Sequence, residues 1–107
     1  MREYDISPEE LLRIMEEEPA AEVLVIDVRE PYEWDYYHLE GTVLMPMNTI
    51  PARLEELPGD KPLYIVCAHG VRSVMVSEYL IKQGFGLVKN VEGGMAALAA
   101  LRGFAYD

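Results

Sequence analysis

The sequence predicts an α/β domain: four or five mainly parallel strands with helices on both faces of the sheet. Three observations lead there. Two short runs, Val23 to Val28 and Leu63 to Cys67, are almost continuously apolar and rich in β-branched residues, as strands covered on both faces are. Stretches of helical period alternate with these and with further short strand-like runs, the order expected of a parallel sheet. The third is size and balance: 107 residues, 50% hydrophobic and 26% charged, fit one compact domain over residues 1–107 with a single core.

Taken in order, Ser7-Pro8-Glu9-Glu10 offers an N-cap, a proline at the first helical position and a capping-box glutamate. With Leu11, Leu12, Ile14 and Met15 on one face, the pattern predicts a helix from Pro8 to Glu17, ended by Pro19. The run Val23 to Val28 follows as a strand. Val43 to Met45 is a shorter strand candidate and Ala52 to Leu57 a short helix, punctuated by Pro46, Pro51 and Pro58. The strand Leu63 to Cys67 leads through a glycine-containing turn into a helix over Ser73 to Lys82, closed at Gln83-Gly84. Leu87 to Val91 reads as a last strand, Gly93-Gly94 as a tight turn and Met95 to Leu101 as a final alanine-rich helix. No repeat or low-complexity linker interrupts this order.

Charge narrows the partners. Nine basic and nineteen acidic side chains give a net charge of -10, which disfavours nucleic acid and anionic membranes. The charge is uneven: residues 1–60 hold four basic and sixteen acidic side chains, and residues 61–107 hold five and three, so only the second part, net +2, suits an anion. The longest apolar run, Met95 to Leu101, is far short of the roughly 18 residues that read as a membrane span. The acidic opening Met1 to Asp5 lacks the positive and apolar regions of a secretory signal, so the expected compartment is cytoplasmic. One cysteine, Cys67, permits no internal disulfide, and with only His38 and His69 beside it no structural zinc site is expected.

The candidate site is Cys67-Ala68-His69-Gly70-Val71-Arg72-Ser73. In open α/β sheets ligands bind beyond the carboxyl ends of strands, and this turn runs from such an end into a helix N-terminus. Backbone N–H groups and the positive end of a helix dipole favour an anion or a thiolate there. Gly70 supplies unusual backbone angles and Arg72 a fixed charge. A lone cysteine is often only a small packing residue, but the glycine turn and the arginine favour a nucleophile. His69 reads equally as an acid, base or anion donor and as a solvated rim residue. Asp27 and Arg29 end a strand on the same side of the sheet and are expected to brace the loop, with Glu33 as a partner for Arg29. Trp34, Tyr36, Tyr37, Met45 and Met47 form a candidate apolar rim, although such residues more often belong to a core. Gly84-Phe85-Gly86 is no dinucleotide fingerprint, since Lys89 stands at the third glycine position.

Three segments, in order and together, resemble the rhodanese-like sulfurtransferase family over nearly the whole chain. They are Asp27-Val28-Arg29-Glu30-Pro31-Tyr32-Glu33-Trp34 with His38-Leu39-Glu40-Gly41 and Pro46, then Cys67 to Ser73, then Gly84-Phe85 with Val91-Glu92-Gly93-Gly94. Tyr37 departs from the family's glycine before the upstream histidine, and Leu98 from its aromatic residue after the paired glycines. The resemblance implies a single rhodanese-like domain with five mainly parallel strands and a Cys67 that carries sulfur as a persulfide. It also implies a small anionic donor such as thiosulfate and a thiophilic acceptor, whether cyanide, a thiol or a sulfur-carrier protein, with no metal or organic cofactor. Two other readings stand beside it. One is a phosphatase or arsenate reductase, whose loops resemble C-x5-R where this chain has C-x4-R; the other is a non-enzymatic interaction module of the same family, whose inactive members commonly lack the cysteine.

Overall fold

A computed structural model describes residues 2–107 and shows five strands in one sheet, β1 (Asp5–Ile6), β2 (Leu24–Asp27), β3 (Thr42–Leu44), β4 (Leu63–Val66) and β5 (Val88–Val91). Their order across the sheet is β1-β5-β4-β2-β3, and every neighbouring pair is parallel. Four α-helices accompany them: α1 (Pro8–Glu17), α2 (Pro31–Tyr36), α3 (Arg72–Lys82) and α4 (Gly94–Leu101). A short 3-10 turn covers Ala20–Glu22 and a longer 3-10 segment Met47–Glu56.

The two-sided burial expected of β2 and β4 follows from their alternation. Ile26, Leu63 and Ile65 point to one face, where Ile50, Val76 and Leu80 from the 3-10 segment and α3 cover them. Val25, Tyr64 and Val66 point to the other, beneath Leu11 of α1 and Met95 and Leu98 of α4. With side chains alternating at period two, strands sandwiched in this way must be apolar at nearly every position. Leu98, where the family pattern has an aromatic residue, is fully buried in this second layer.

Helix α1 has the expected bounds, and Ser7 Oγ accepts the Glu10 N–H at 3.1 Å. The expected capping box is only half made, because the Glu10 carboxylate turns away to Arg13, 2.7 Å distant, instead of back to the cap. A guanidinium within one turn is a stronger partner than an exposed neutral amide. The predicted short helix at Ala52 to Leu57 begins earlier, at Met47, and is 3-10 in character with a break at Arg53. Pro51 lies inside it and removes one donor, which an α-helical turn tolerates poorly.

Two elements were not anticipated. β1 is two residues long and is held by pairing to β5, with Asn90 Nδ2 also donating to the Asp5 carboxylate at 2.9 Å. α2 occupies the stretch read only as a motif, and it carries a complete capping box: the Glu30 side chain accepts at the N-terminus and Glu33 returns to the Glu30 N–H at 2.9 Å. Among the described residues no helix is long and apolar enough to cross a membrane.

The register places the site. Asp27 lies opposite Val66, and the Val28 N–H extends the ladder to the Val66 carbonyl, so β2 and β4 end level with each other. The loop after β4 and the loop after β2 therefore leave the sheet side by side.

Candidate functional site

Cys67 stands one residue past β4, buried at 1% exposure and in contact with the core layer beneath α3. Its Sγ faces the loop that follows. The Gly70 N–H donates to Sγ at 3.0 Å, and Ser73 Oγ, in the first turn of α3, lies 3.3 Å from it. The reversal that aims the Gly70 N–H at the sulfur needs Gly70 at φ +97°, a conformation that side chains with a Cβ rarely adopt. Ser73 is fully buried, so its hydroxyl is held against the sulfur.

The loop is fastened from behind by α4. Met95 N–H donates to the Cys67 carbonyl at 2.7 Å and Ala96 N–H to the Ala68 carbonyl at 3.0 Å. These are N-terminal donors of a helix, which have no intrahelical partner and here bond the backbone that carries the thiol. So close an approach requires glycine at the start of α4. A Cβ on Gly94 would lie 2.7 Å from the Ala68 carbonyl carbon and oxygen and closer still to the Cys67 oxygen, and the residue has φ +60°. The tight turn expected at Gly93-Gly94 is thus the join between α4 and the cysteine loop.

Asp27 and Arg29 form a fully buried pair beside the loop. Arg29 Nε lies 2.9 Å from Asp27 Oδ1 and Nη2 lies 2.7 Å from Oδ2. The same guanidinium donates to three further oxygens, the Tyr37 carbonyl at 2.8 Å, the Glu33 carbonyl at 3.2 Å and the Tyr106 hydroxyl at 2.8 Å. All five N–H donors of Arg29 are thereby occupied, as a buried guanidinium requires.

The carboxylate of Glu33 is not a partner of Arg29, contrary to the expectation from sequence. It faces Arg72, whose Nη1 and Nη2 lie 2.7 and 2.8 Å from its two oxygens in a bidentate pair. The reason is α2: once Pro31–Tyr36 is helical and Glu33 caps it, the Glu33 carbonyl points to Arg29 while its side chain reaches the start of α3. The hydrogen bonds from Arg72 lower the Glu33 pKa from 4.5 to about 2, against the opposing effect of burial and with help from the Glu30 N–H. Glu33 in turn raises the pKa of Arg72, and the nearby Cys67 adds to this.

His69 points to the C-terminal segment, which sequence reasoning had not connected with the loop. Its Nε2 lies 3.0 Å from both carboxylate oxygens of Asp107, and its ring meets Tyr106 edge-on. Both members of the pair are exposed, His69 by 54% and Asp107 by 70%. Tyr36 and Tyr37 hold this segment in place: Tyr36 Oη donates to the Tyr106 carbonyl at 2.8 Å, and Tyr37 stacks on Phe104 with ring centroids 4.4 Å apart. Tyr37, the departure from the family's glycine, therefore anchors the segment. Of the suggested rim, Met45 is a core residue at 4% exposure, and Trp34 stacks on His38 at a centroid distance of 3.8 Å. The aromatic residues Phe104 and Tyr106 were the signal available in the sequence, since aromatic side chains just past a helix tend to pack back on the domain.

A parallel α/β sheet with a lone cysteine between a strand end and a helix start, under a glycine-turn N–H, is the architecture of the class of domains to which the family comparison points. The chain belongs to the rhodanese-like domain family, whose model matches residues 7–101. It is similar to a sulfurtransferase of Allochromatium vinosum, with 38% identity over 73% of this chain and 73% of the other. It is also similar to the thiosulfate sulfurtransferase GlpE of Pseudomonas syringae, with 34% identity over 88% of this chain and 86% of that one. Among solved structures, a rhodanese-like domain protein from Staphylococcus aureus superposes with a TM-score of 0.81 at 39% identity, covering 88% of this chain and 89% of that chain. The matched residues stop before Phe104, Tyr106 and Asp107.

Proposed function

We propose that this protein transfers sulfane sulfur, from thiosulfate or a persulfide donor to a thiophilic acceptor, through a persulfide on Cys67. The observation that carries the reading is the Gly70 N–H at 3.0 Å from the Cys67 sulfur. A cysteine that only packs has no use for a strained glycine turn directed at its sulfur, whereas a sulfur that bears negative charge does.

In the first half-reaction the Cys67 thiolate attacks the outer sulfur of thiosulfate. The S–S bond breaks, sulfite leaves with the electron pair, and the enzyme keeps the sulfur as a persulfide anion. In the second, an acceptor such as cyanide or a thiol attacks that outer sulfur and Cys67 leaves as the thiolate. This is a ping-pong exchange with a covalent intermediate, and every electron is accounted for without a redox cofactor. The backbone from Ala68 through Val71 forms the cradle for the transferred sulfur. Ser73 supports the thiolate with its hydroxyl, Arg72 steadies the loop through its pair with Glu33, and His69 stands at the mouth of the cradle. Glu33 holds the start of α3 through Arg72, whereas Asp27 and Arg29, expected to brace the loop directly, tie β2 to α2 and Tyr106 instead, because every donor of Arg29 is used there.

The test is the mass of the intact protein after incubation with thiosulfate and removal of the excess. Cys67 should gain one sulfur atom, removable by cyanide, and Cys67→Ser should gain none while remaining folded. An adduct on Cys67→Ser, or no adduct on the unaltered protein with either thiosulfate or an alkyl persulfide, refutes the proposal. Cys67-dependent release of phosphate from an aryl phosphate faster than turnover of thiosulfate would transfer the site to the phosphatase reading.

A further inference from the structure

Among the described residues, Arg29, Arg72 and His69 around Cys67 all face acids. Arg29 is fully buried with its donors filled. Both Nη atoms of Arg72 go to the two oxygens of Glu33, and His69 faces the carboxylate of Asp107. A guanidinium that binds an oxyanion substrate offers that bidentate edge, and here a carboxylate of the chain itself occupies it. Glu33 is also firmly held. Its side chain is only 13% exposed, and Oε1 accepts both the Glu30 N–H and Arg72 Nη1.

We infer that the site selects its sulfur donor by charge, taking an alkyl persulfide in preference to the dianion thiosulfate, and that Glu33 is the residue that sets this preference. The inference rests on the persulfide-transfer reading and deepens it. When a thiolate attacks thiosulfate, three negative charges meet in the transition state and sulfite departs as a dianion. When it attacks the terminal sulfur of an alkyl persulfide, R–S–SH, the S–S bond breaks, the alkyl thiolate leaves with the electron pair, and Cys67 keeps S–SH. That path gathers less charge. A neutralised guanidinium serves the second path well and the first poorly, because the loss of attraction scales with the charge of the donor. Glu33 stays ionised down to about pH 2, so the neutralisation persists throughout the physiological range.

Glu33→Gln provides the test, since the amide keeps an oxygen for the Glu30 N–H and for Arg72 while removing the charge. Steady-state kcat/KM is measured at constant ionic strength for thiosulfate and for the persulfide of 2-mercaptoethanol, whose only ionisable group is the sulfur. Use of thiosulfate should rise about tenfold, while use of the persulfide, which reacts as neutral R–S–SH, should change by less than about twofold, since the electrostatic effect scales with the charge of the donor. Asp107→Asn alters only the exposed His69 pair and leaves the α2 cap intact, so thiosulfate use there should rise by about twofold, as suits a solvated contact. Equal changes for the two donors in Glu33→Gln, or no rise for thiosulfate in either variant, overturn the inference. Should neither donor add sulfur to Cys67 in the unaltered protein, the sulfur-transfer reading itself fails, a result separable by mass from a failure of Glu33 to discriminate.

Discussion

Arg29 and Arg72 follow adjacent strands, and each meets a carboxylate through two nitrogens, yet their surroundings make them different devices. Arg29 and Asp27 are both fully buried, with every donor of the guanidinium engaged. Arg72 keeps 30% of its side chain exposed and Glu33 13%, at the mouth of the cysteine loop. Glu33 belongs to both, giving its backbone oxygen to Arg29 and its carboxylate to Arg72. A charge pair taken wholly out of water is costly to form and more costly to break, so it holds a geometry; a pair in partial contact with water is cheap to break and is free to tune a reaction. Burial thus divides two ion pairs of the same chemistry: one fixes structure, and the other is the one we propose tunes the reaction at Cys67.

The largest expected effect comes from breaking the buried member. Arg29→Met leaves Asp27 without a countercharge in the core and should cost about 3–5 kcal/mol of stability, measured by denaturant unfolding. A loss below about 1 kcal/mol would mean that the site is hydrated and that the contrast between the two arginines is false.

Arg72→Ala should show the opposite balance. Stability should fall by about 1 kcal/mol or less, since the Glu33 carboxylate regains water, while kcat/KM for thiosulfate should fall by a factor of about ten to a hundred, because the Glu33 charge is then left without its countercharge beside the dianion. Arg72→Lys should recover part of the activity, keeping the charge and losing the planar fork. Unchanged specificity for thiosulfate in folded Arg72→Ala would assign Arg72 to bracing alone.

The smallest effect sharpens the comparison through pH. Glu33 has its pKa lowered from 4.5 to about 2 in the folded chain. A lowered acid pKa means that the unfolded chain binds the proton more readily, so the contribution of this pair is complete above pH 4.5 and is lost as pH falls toward 2. Thermal melts taken between those limits should fall more steeply for the unaltered protein than for Arg72→Ala. Parallel curves would show that the pair contributes nothing to folding.

Local pattern was enough for several parts of this chain. Ser7-Pro8 starts α1, continuous β-branched runs mark β2 and β4, and Gly84 ends α3, because each is a choice made within a few residues by caps, period and backbone freedom. The cysteine turn was legible for the same reason: the sulfur and the N–H that faces it are only three residues apart. α2 was missed although Glu30-Pro31-Tyr32-Glu33 holds a capping signal, since glutamate is a rare cap and six residues carry little periodicity. β1 could not be read, because two residues have no pattern of their own and become a strand only by pairing with β5.

What the sequence by itself determined is therefore the α/β layering, the nucleophile candidate and the glycine positions that shape its loop. Only the tertiary structure decided which charges meet. Glu33 lies four residues from Arg29 and 39 from Arg72, and Asp107 lies 38 from His69, yet the longer separations form the side-chain pairs. A helix placed by its neighbours sets the direction in which Glu33 points, and the return of the chain past α4 brings Asp107 to the loop. Such partners are chosen by the closing of the fold around the sheet, a sum over many packing contacts that no short stretch of sequence contains.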